Sequence, residues 1–340
     1  MIVITDILKE PFDEGAKVGT VNIIKNLKKL IQIHVISICS DCCLPFIDKI
    51  YNLNKLLFNL SFFKHIKKHC GKSILYIPEA SITFFSFVRA NLLNLFTGKD
   101  VYILSFQARS YGFIVKNIIK VISPKCIISL SKNMAEYLLD LGLTTSILQM
   151  GVDDKKYHEF DLERKKKLRL FYEIQQDKNV VLHVGHIQPS RNLEWLIQIK
   201  EKCPKVEVII VNSTYSHYDK ELYKTLKKKK IRVFKKFIPN MEEIYNLADY
   251  YIFPVVNNKG AIEAPLSVLE AMACNIPIIT SRFGSLPYTF KQDNHFHYVE
   301  SSDEIIKIIV ESSIGKCNNR NKIDQYTWKN VALSLLKIIN

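Results

Sequence analysis

Two trains of alternating strand-like and helix-like segments, parted by one polar stretch, decide what this chain can fold into. In the first train, apolar runs rich in β-branched residues at 2–5, 33–38, 74–77, 101–104 and 127–130 alternate with segments of helical period at 18–30, 110–121 and 132–141. Residues 151–178, GVDDKKYHEFDLERKKKLRLFYEIQQDK, are polar and charged and hold no strong β-run, which predicts a connection plus one helix. A second train follows, with strands at 180–184, 206–211, 231–234, 250–253 and 276–280 and helices beginning near Arg191, Tyr218, Met241 and Pro265. Strands that alternate with helices form parallel sheets covered on both faces. The expected class is α/β, with two doubly wound, Rossmann-like domains at 1–150 and 151–325, and 340 residues suit that division. Ligands of such sheets bind outside the carboxyl ends of the strands, in the crevice between.

Composition removes several classes of function. MIVITDI lacks the basic start and cleavage site of a signal peptide, and no run approaches the ~18 apolar residues of a membrane span. The eight cysteines are scattered, and the CxxC inside CSDCC (Cys39, Cys42) has no second pair to make a zinc site, so they are expected to be reduced, in a cytoplasm. The formal net charge is +15, and residues 49–132 carry thirteen bases against two acids. Such a block favours an anionic surface, either nucleic acid or anionic lipid. No RNA-binding module or aromatic-basic stacking pattern accompanies it. Phe58, Phe62, Phe63, Phe84, Phe85 and Phe87 are interspersed with the bases, which suits a peripheral place at the inner face of a membrane; equally, those rings are core and the lysines a solvated face.

Several common motifs fail. Gly71-Lys72-Ser73 looks like the end of a phosphate loop, but the first glycine would fall at Ile66. No G-x-G-x-x-G follows a strand, and there is no D-x-D or G-x-S-x-G. Two stretches remain. In VVLHVGHIQPSRNLEWLIQI, residues 180–199, a buried strand ends at Gly185 and a helix is expected around Arg191 or Asn192. That loop can meet phosphate through backbone amides and two cations, His186 and Arg191, the arginine bidentately. In IEAPLSVLEAMACNIPIIT, residues 262–280, Pro265 stands at a plausible first helical position, followed by Leu266 and Ser267 at the positive end of a helix. Glu270 lies within that helix, too far in to cap it, among apolar neighbours where an unpaired carboxylate is costly. A ribose diol would satisfy it; a capped core helix is the plainer alternative.

LEAMACNIPIITSRFGSLP resembles the donor-binding signature of retaining GT-B glycosyltransferases, specifically glycosyltransferase family 4. HVGHIQPSRNLEWLI is similar to that family's phosphate loop, and IISLSKNMAEYLLDLGLTTSILQMGVDDKKY to its crossing between domains. YTWKNVALSLL resembles its last helix, which implies that 326–340 packs back on the N-terminal domain, and PFDEGAKVGTVNIIKNLKKL resembles the glycine-bearing acceptor-side loop and helix. The resemblance is firm from about residue 126 onward and loose before it.

By this likeness Glu270 matches the second glutamate of the family's Glu-x7-Glu pair and is implied to hold the nucleotide ribose. Arg191 stands at a diphosphate lysine, and His186 at an arginine. The first glutamate falls on Ile262, with Glu263 one place late, so the expectation is a shifted loop that lets Glu263 reach the transferred sugar. Gly185, His186, Arg191, Pro265, Leu266, Ser267 and Glu270 are then the donor-binding residues, with Glu263 and Arg191 catalytic. Glu14, Gly15, Ala16, Lys17 and Gln107 fall on the acceptor side, and Gln107 sits near the place of an N-domain histidine. The implied reaction is metal-independent hexosyl transfer from a nucleotide diphosphate sugar to a glycan or lipid-linked hydroxyl of cell-surface polysaccharide type, with no cofactor. Two other readings stand beside it. Ile262, His186 and Gln107 fit an inactive nucleotide-sugar-binding subunit, and the basic block fits, less well, a nucleic-acid-binding α/β protein.

Overall fold

A computed structural model of the chain describes residues 1–6, 8, 10–38, 44–53, 59–78, 80–107, 109–213, 218–258, 260–311, 315 and 317–340. Cys39, Cys42, Cys43, Lys55, Phe58 and Glu79 lie outside the described residues. The chain divides into two compact units. The first comprises Met1–Met150, Ile262–Ala264 and Trp328–Asn340, and the second Gly151–Ala261 and Pro265–Thr327.

The first unit is built on seven parallel strands: β1 (Ile2–Thr5), β2 (His34–Ser37), β3 (Lys49–Ile50), β4 (Ser73–Ile77), β5 (Asp100–Leu104), β6 (Cys126–Ser129) and β7 (Thr145–Ile147), in the order β3-β2-β1-β4-β5-β6-β7. β1 is an interior strand, since Ile2 aligns with His34 on one side and with Ile74 on the other. Its helices are α1 (Gly15–Leu30), α2 (Leu60–Lys68), α3 (Phe84–Thr97), α4 (Phe113–Val121) and α5 (Lys132–Asp140). Hydrophobic periodicity misses α2 and α3, but their caps are local: the Asn59 side chain accepts from Phe62 N, and Thr83 and Ser86 form a reciprocal capping box. Phe62, Phe63 and Phe87 are buried in the core with Ile2, Ile36 and Tyr76, and Phe84 packs against it. Phe85 alone among the described phenylalanines of that set is exposed, so they do not form a lipid-facing surface.

The second unit has six parallel strands: β8 (Val180–Val184), β9 (Glu207–Val211), β10 (Arg232–Phe234), β11 (Tyr250–Phe253), β12 (Ile278–Thr280) and β13 (Phe296–Tyr298), ordered β10-β9-β8-β11-β12-β13. α6 (Leu162–Phe171), α7 (Glu194–Lys202), α8 (Lys220–Lys228), α9 (Met241–Leu247), α10 (Leu266–Ala273), α11 (Leu286–Thr289) and α12 (Ser302–Glu311) accompany them. The connecting helix α6 is tied down where Arg169 and Lys165 both bind Asp249, at 2.6 and 2.8 Å. The last helix, α13 (Trp328–Ile339), belongs to the first unit, where it packs on α1 and Tyr102 Oη donates to the Ile339 carbonyl at 3.1 Å. Tyr326 and Thr327 stay with the second unit, because Val152 N donates to the Tyr326 carbonyl at 2.8 Å. Among the described residues no helix is long and apolar enough to cross a membrane.

Candidate functional site

β8 and β11 are neighbours at the point where the second sheet's strand order reverses, and both sequence motifs of this unit leave from their carboxyl ends. β8 runs into Gly185, and a 3₁₀ turn at Pro189–Arg191 follows. The expected helix start at Arg191 or Asn192 is displaced: Asn192 adopts the left-handed conformation (φ 52°), which interrupts helix formation, and α7 begins at Glu194. Asn192 Nδ2 donates to the Pro254 carbonyl at 3.2 Å and so ties this turn to the loop after β11. Gly260 closes the same junction, since a Cβ there would lie 2.5 Å from the Ser190 carbonyl oxygen.

Arg191 is buried, and its guanidinium packs on the backbone of Gly185, where a Cβ would sit 2.8 Å from Nη1 and 3.1 Å from His183 Nε2. Glycine is therefore required by close approach. His183, a polar residue in a buried strand, was not singled out by the sequence. Its Nδ1 lies 2.9 Å from the Ile252 carbonyl oxygen, so Nδ1 carries the proton and Nε2 keeps its lone pair. Nε2 finds no hydrogen-bond partner among the described residues. Burial, with the positive charge of Arg191, lowers the imidazole pKa to about 3 and keeps it neutral. His186, on the same loop, is partly buried.

Pro265 is not the first helical residue but the N-cap of α10 (φ −66°, ψ 113°), and no side chain caps the helix, whose first residues are Leu266 and Ser267. Glu270 is half-buried, and the chain itself supplies partners: Tyr245 Oη donates to Oε2 at 2.7 Å, and the Tyr157 hydroxyl bonds the same carboxyl. Burial raises its pKa while the two tyrosines lower it. A ligand is thus not needed to satisfy this acid. Tyr251 lies in electrostatic reach of both Arg191 and Glu270, and burial raises its hydroxyl pKa.

The other predicted residues lie in the first unit. Glu14 is the N-cap of α1, and its carboxylate stands 3.8 Å from Nζ of the buried Lys17. Gly15 faces Ile262, whose Cδ1 would come within 2.7 Å of a Cβ there, and Ala16 is buried. Gln107 bridges to Ser81 after β5. Glu263 also belongs to this unit and is 5% exposed; its backbone N donates to the Phe106 carbonyl at 2.8 Å. Ser131 Oγ donates to Oε1 at 2.6 Å and accepts from Met134 N as the N-cap of α5. Oε2 has no hydrogen-bond partner among the described residues. Burial raises this carboxyl to about 7, against the lowering effect of Ser131. The structure thus brings Glu263 together with Phe106 and Ser131, and its neighbour Ile262 with Gly15. The cap pattern at SKNMAE was the one signal that could have flagged Ser131.

Residues 164–329 match the family of glycosyl transferases group 1. A curated relative, an uncharacterized glycosyltransferase of Methanocaldococcus jannaschii, is 24% identical over 62% of this chain, and the chain spans 59% of that relative's length. Among solved structures, Anabaena HepE in complex with UDP and glucose is 16% identical and covers 99% of this chain and 98% of its own, with a TM-score of 0.78. A Thermosynechococcus elongatus sucrose-phosphate synthase, also 16% identical, covers 99% and 97% with a TM-score of 0.79. The fold is GT-B, and the family match with these neighbours supports a glycosyltransferase of group 1.

Proposed function

We propose that the chain transfers a hexosyl group from a nucleotide diphosphate sugar to a hydroxyl acceptor, with retention at the anomeric carbon, as a family 4 enzyme. The observation that carries this reading is Arg191, buried beside a glycine and a neutral histidine at the switch point of the second sheet. A diphosphate leaving group gains negative charge as the C1–O bond to the β-phosphate breaks. A fixed guanidinium and the uncapped amides of α10 are pre-organised for that charge, so they lower the barrier rather than only bind. The C1–O bond to the acceptor forms as the leaving bond breaks, and the acceptor proton passes to a β-phosphate oxygen, so a base from the protein is not required. Glu270, held by Tyr245 and Tyr157, presents its remaining acceptor capacity to the ribose hydroxyls. The bound UDP of HepE supports a nucleotide-sugar donor. The acceptor belongs on the first unit, near Glu14–Lys17 and Gln107, and is taken to be a lipid-linked or polysaccharide hydroxyl on the cytoplasmic side.

A screen of UDP-, GDP- and ADP-sugars by thermal shift, followed by product analysis with and without chelator, tests this. A donor at 100 times its Kd raises stability by about 2.7 kcal/mol. Retention is read from the anomeric NMR coupling of the product, and loss of turnover in chelator would refute metal independence. Ile262 and Gln107 favour one second reading, a subunit that binds donor without turning it over. Donor binding without product or hydrolysis would select it.

A further inference from the structure

Helix α4 is amphipathic in the inverse sense to its neighbours. Phe113, Ile114, Ile118 and Val121 are 80%, 73%, 40% and 85% exposed, whereas Ile119 is the helix's buried residue. At 3.6 residues per turn those four side chains fall within about 140° of the helix circumference, opposite Ile119, and Lys116 and Lys120 flank the stripe on one side. Leu95, on the neighbouring α3, is exposed as well. A contiguous apolar face of this kind marks a contact rather than ordinary surface.

Charge decides what covers it. Residues 100–136 hold five bases (Arg109, Lys116, Lys120, Lys125 and Lys132) against two acids, Asp100 and Glu136, which pair with Lys125 and Lys132 and leave the bases beside the stripe uncompensated by them; the whole chain is +15. A second copy would bring like charges together around the stripe. We propose that α4 docks this protein on a phospholipid bilayer of net negative charge. The apolar face settles at the boundary of headgroups and acyl chains, and Lys116 and Lys120 reach the phosphates along its edge. α4 follows directly on the loop that holds Gln107, so docking would set the carboxyl edge of the first sheet beside the lipid surface. The inference goes beyond glycosyl transfer and does not need it.

The test is sedimentation of the full chain, without nucleotide sugar, against vesicles of phosphatidylcholine alone or mixed with phosphatidylglycerol. Binding is expected to need the anionic lipid and to fade as salt shortens the Debye length from ~10 Å at 0.1 M to ~3 Å at 1 M. Phe113→Ser/Ile114→Ser/Val121→Ser should lower the partition coefficient by about tenfold or more with an unchanged melting temperature, since these residues are exposed. Lys116→Gln/Lys120→Gln should weaken binding to anionic vesicles by about tenfold or more and leave binding to neutral vesicles unchanged, a second arm that keeps the apolar face intact. Equal recovery with neutral and anionic vesicles, or a triple variant that binds as the parent does, overturns the proposal. A concentration-dependent dimer in sedimentation velocity that the triple variant abolishes overturns it too, in favour of a second copy. Because donor turnover plays no part in these measurements, glycosyl transfer can fail while docking stands, or the reverse.

Discussion

Glu263 and Glu270 come from one short stretch of sequence, and the fold treats them in opposite ways. Glu270 lies in the second unit with two tyrosine hydroxyls on its carboxyl group. Glu263 belongs to the first unit and accepts one hydrogen bond from Ser131, its second oxygen has no hydrogen-bond partner among the described residues, and its pKa is raised to about 7. One acid is held by partners the chain provides, and the other is buried with half of its acceptor capacity unmet. The lesson is that a carboxylate in an apolar context does not announce a ligand. The partners have to be found first, and what they leave unfilled is the informative part.

The largest expected effect is at Arg191, in the same unit as Glu270. Arg191→Ala should cut turnover by about 10²–10³ while the unit stays folded, and nucleoside monophosphate binding should weaken far less, as measured by steady-state kinetics and calorimetry. Unaltered kinetics would leave Glu270's edge of the molecule without a diphosphate role.

Glu263→Gln sharpens the contrast by stability. A carboxyl raised above its unfolded value of 4.5 contributes stability that is fully present below that pH and is lost as pH rises through about 7. The glutamine variant lacks this loss, so at pH 8 it should be more stable than the parent by roughly 3 kcal/mol, with no difference due to ionisation at pH 4. Denaturant titrations across that range check it; parallel stability curves would show that Glu263 is not buried as an acid. If Glu263 also contacts the transferred sugar, kcat falls in the same variant while binding of the bare nucleotide holds.

Tyr245→Phe should cost about 2 kcal/mol, because it strips a hydrogen bond from a partly buried carboxyl, and should weaken donor binding with it. A variant that melts far lower but binds donor normally would make Glu270 structural. Ser131→Ala should cost about 2 kcal/mol as well, since it removes both the cap of α5 and the hydrogen bond to the buried Glu263 carboxyl. That bond also lowers Glu263, so without it the pH dependence above should move to higher pH.

The sheet strands were legible because buried parallel strands are nearly continuous apolar runs; β3, β7 and β13 were not, since they are short edge strands with polar residues such as Lys49, Thr145 and His297. Arg191 and Glu270 were visible as charges in apolar frames. His183 was not, because a histidine inside VVLHV looks like any core polar residue until Ile252 fixes its tautomer and Gly185, lacking a side chain, leaves its other nitrogen uncrowded. The grouping of Glu263 with the first unit was invisible as well, for it depends on Ser131 and Phe106, far away in sequence. The phenylalanines of the basic block show the converse: the sequence left surface and core equally open, and Phe62, Phe63 and Phe87 are core, whereas an exposed apolar face of the same block is on α4.

The return of α13 to the first unit has a consequence for synthesis. The helix that lies on α1 and accepts from the Tyr102 hydroxyl leaves the ribosome only after the second unit has been made. The second unit can therefore be complete while the first still waits for its final helix, reversing the usual N-terminal-first order of domain folding. A nascent chain arrested before Trp328 would hold α1 with its partner missing, and loss of α13 would be felt most by the first unit.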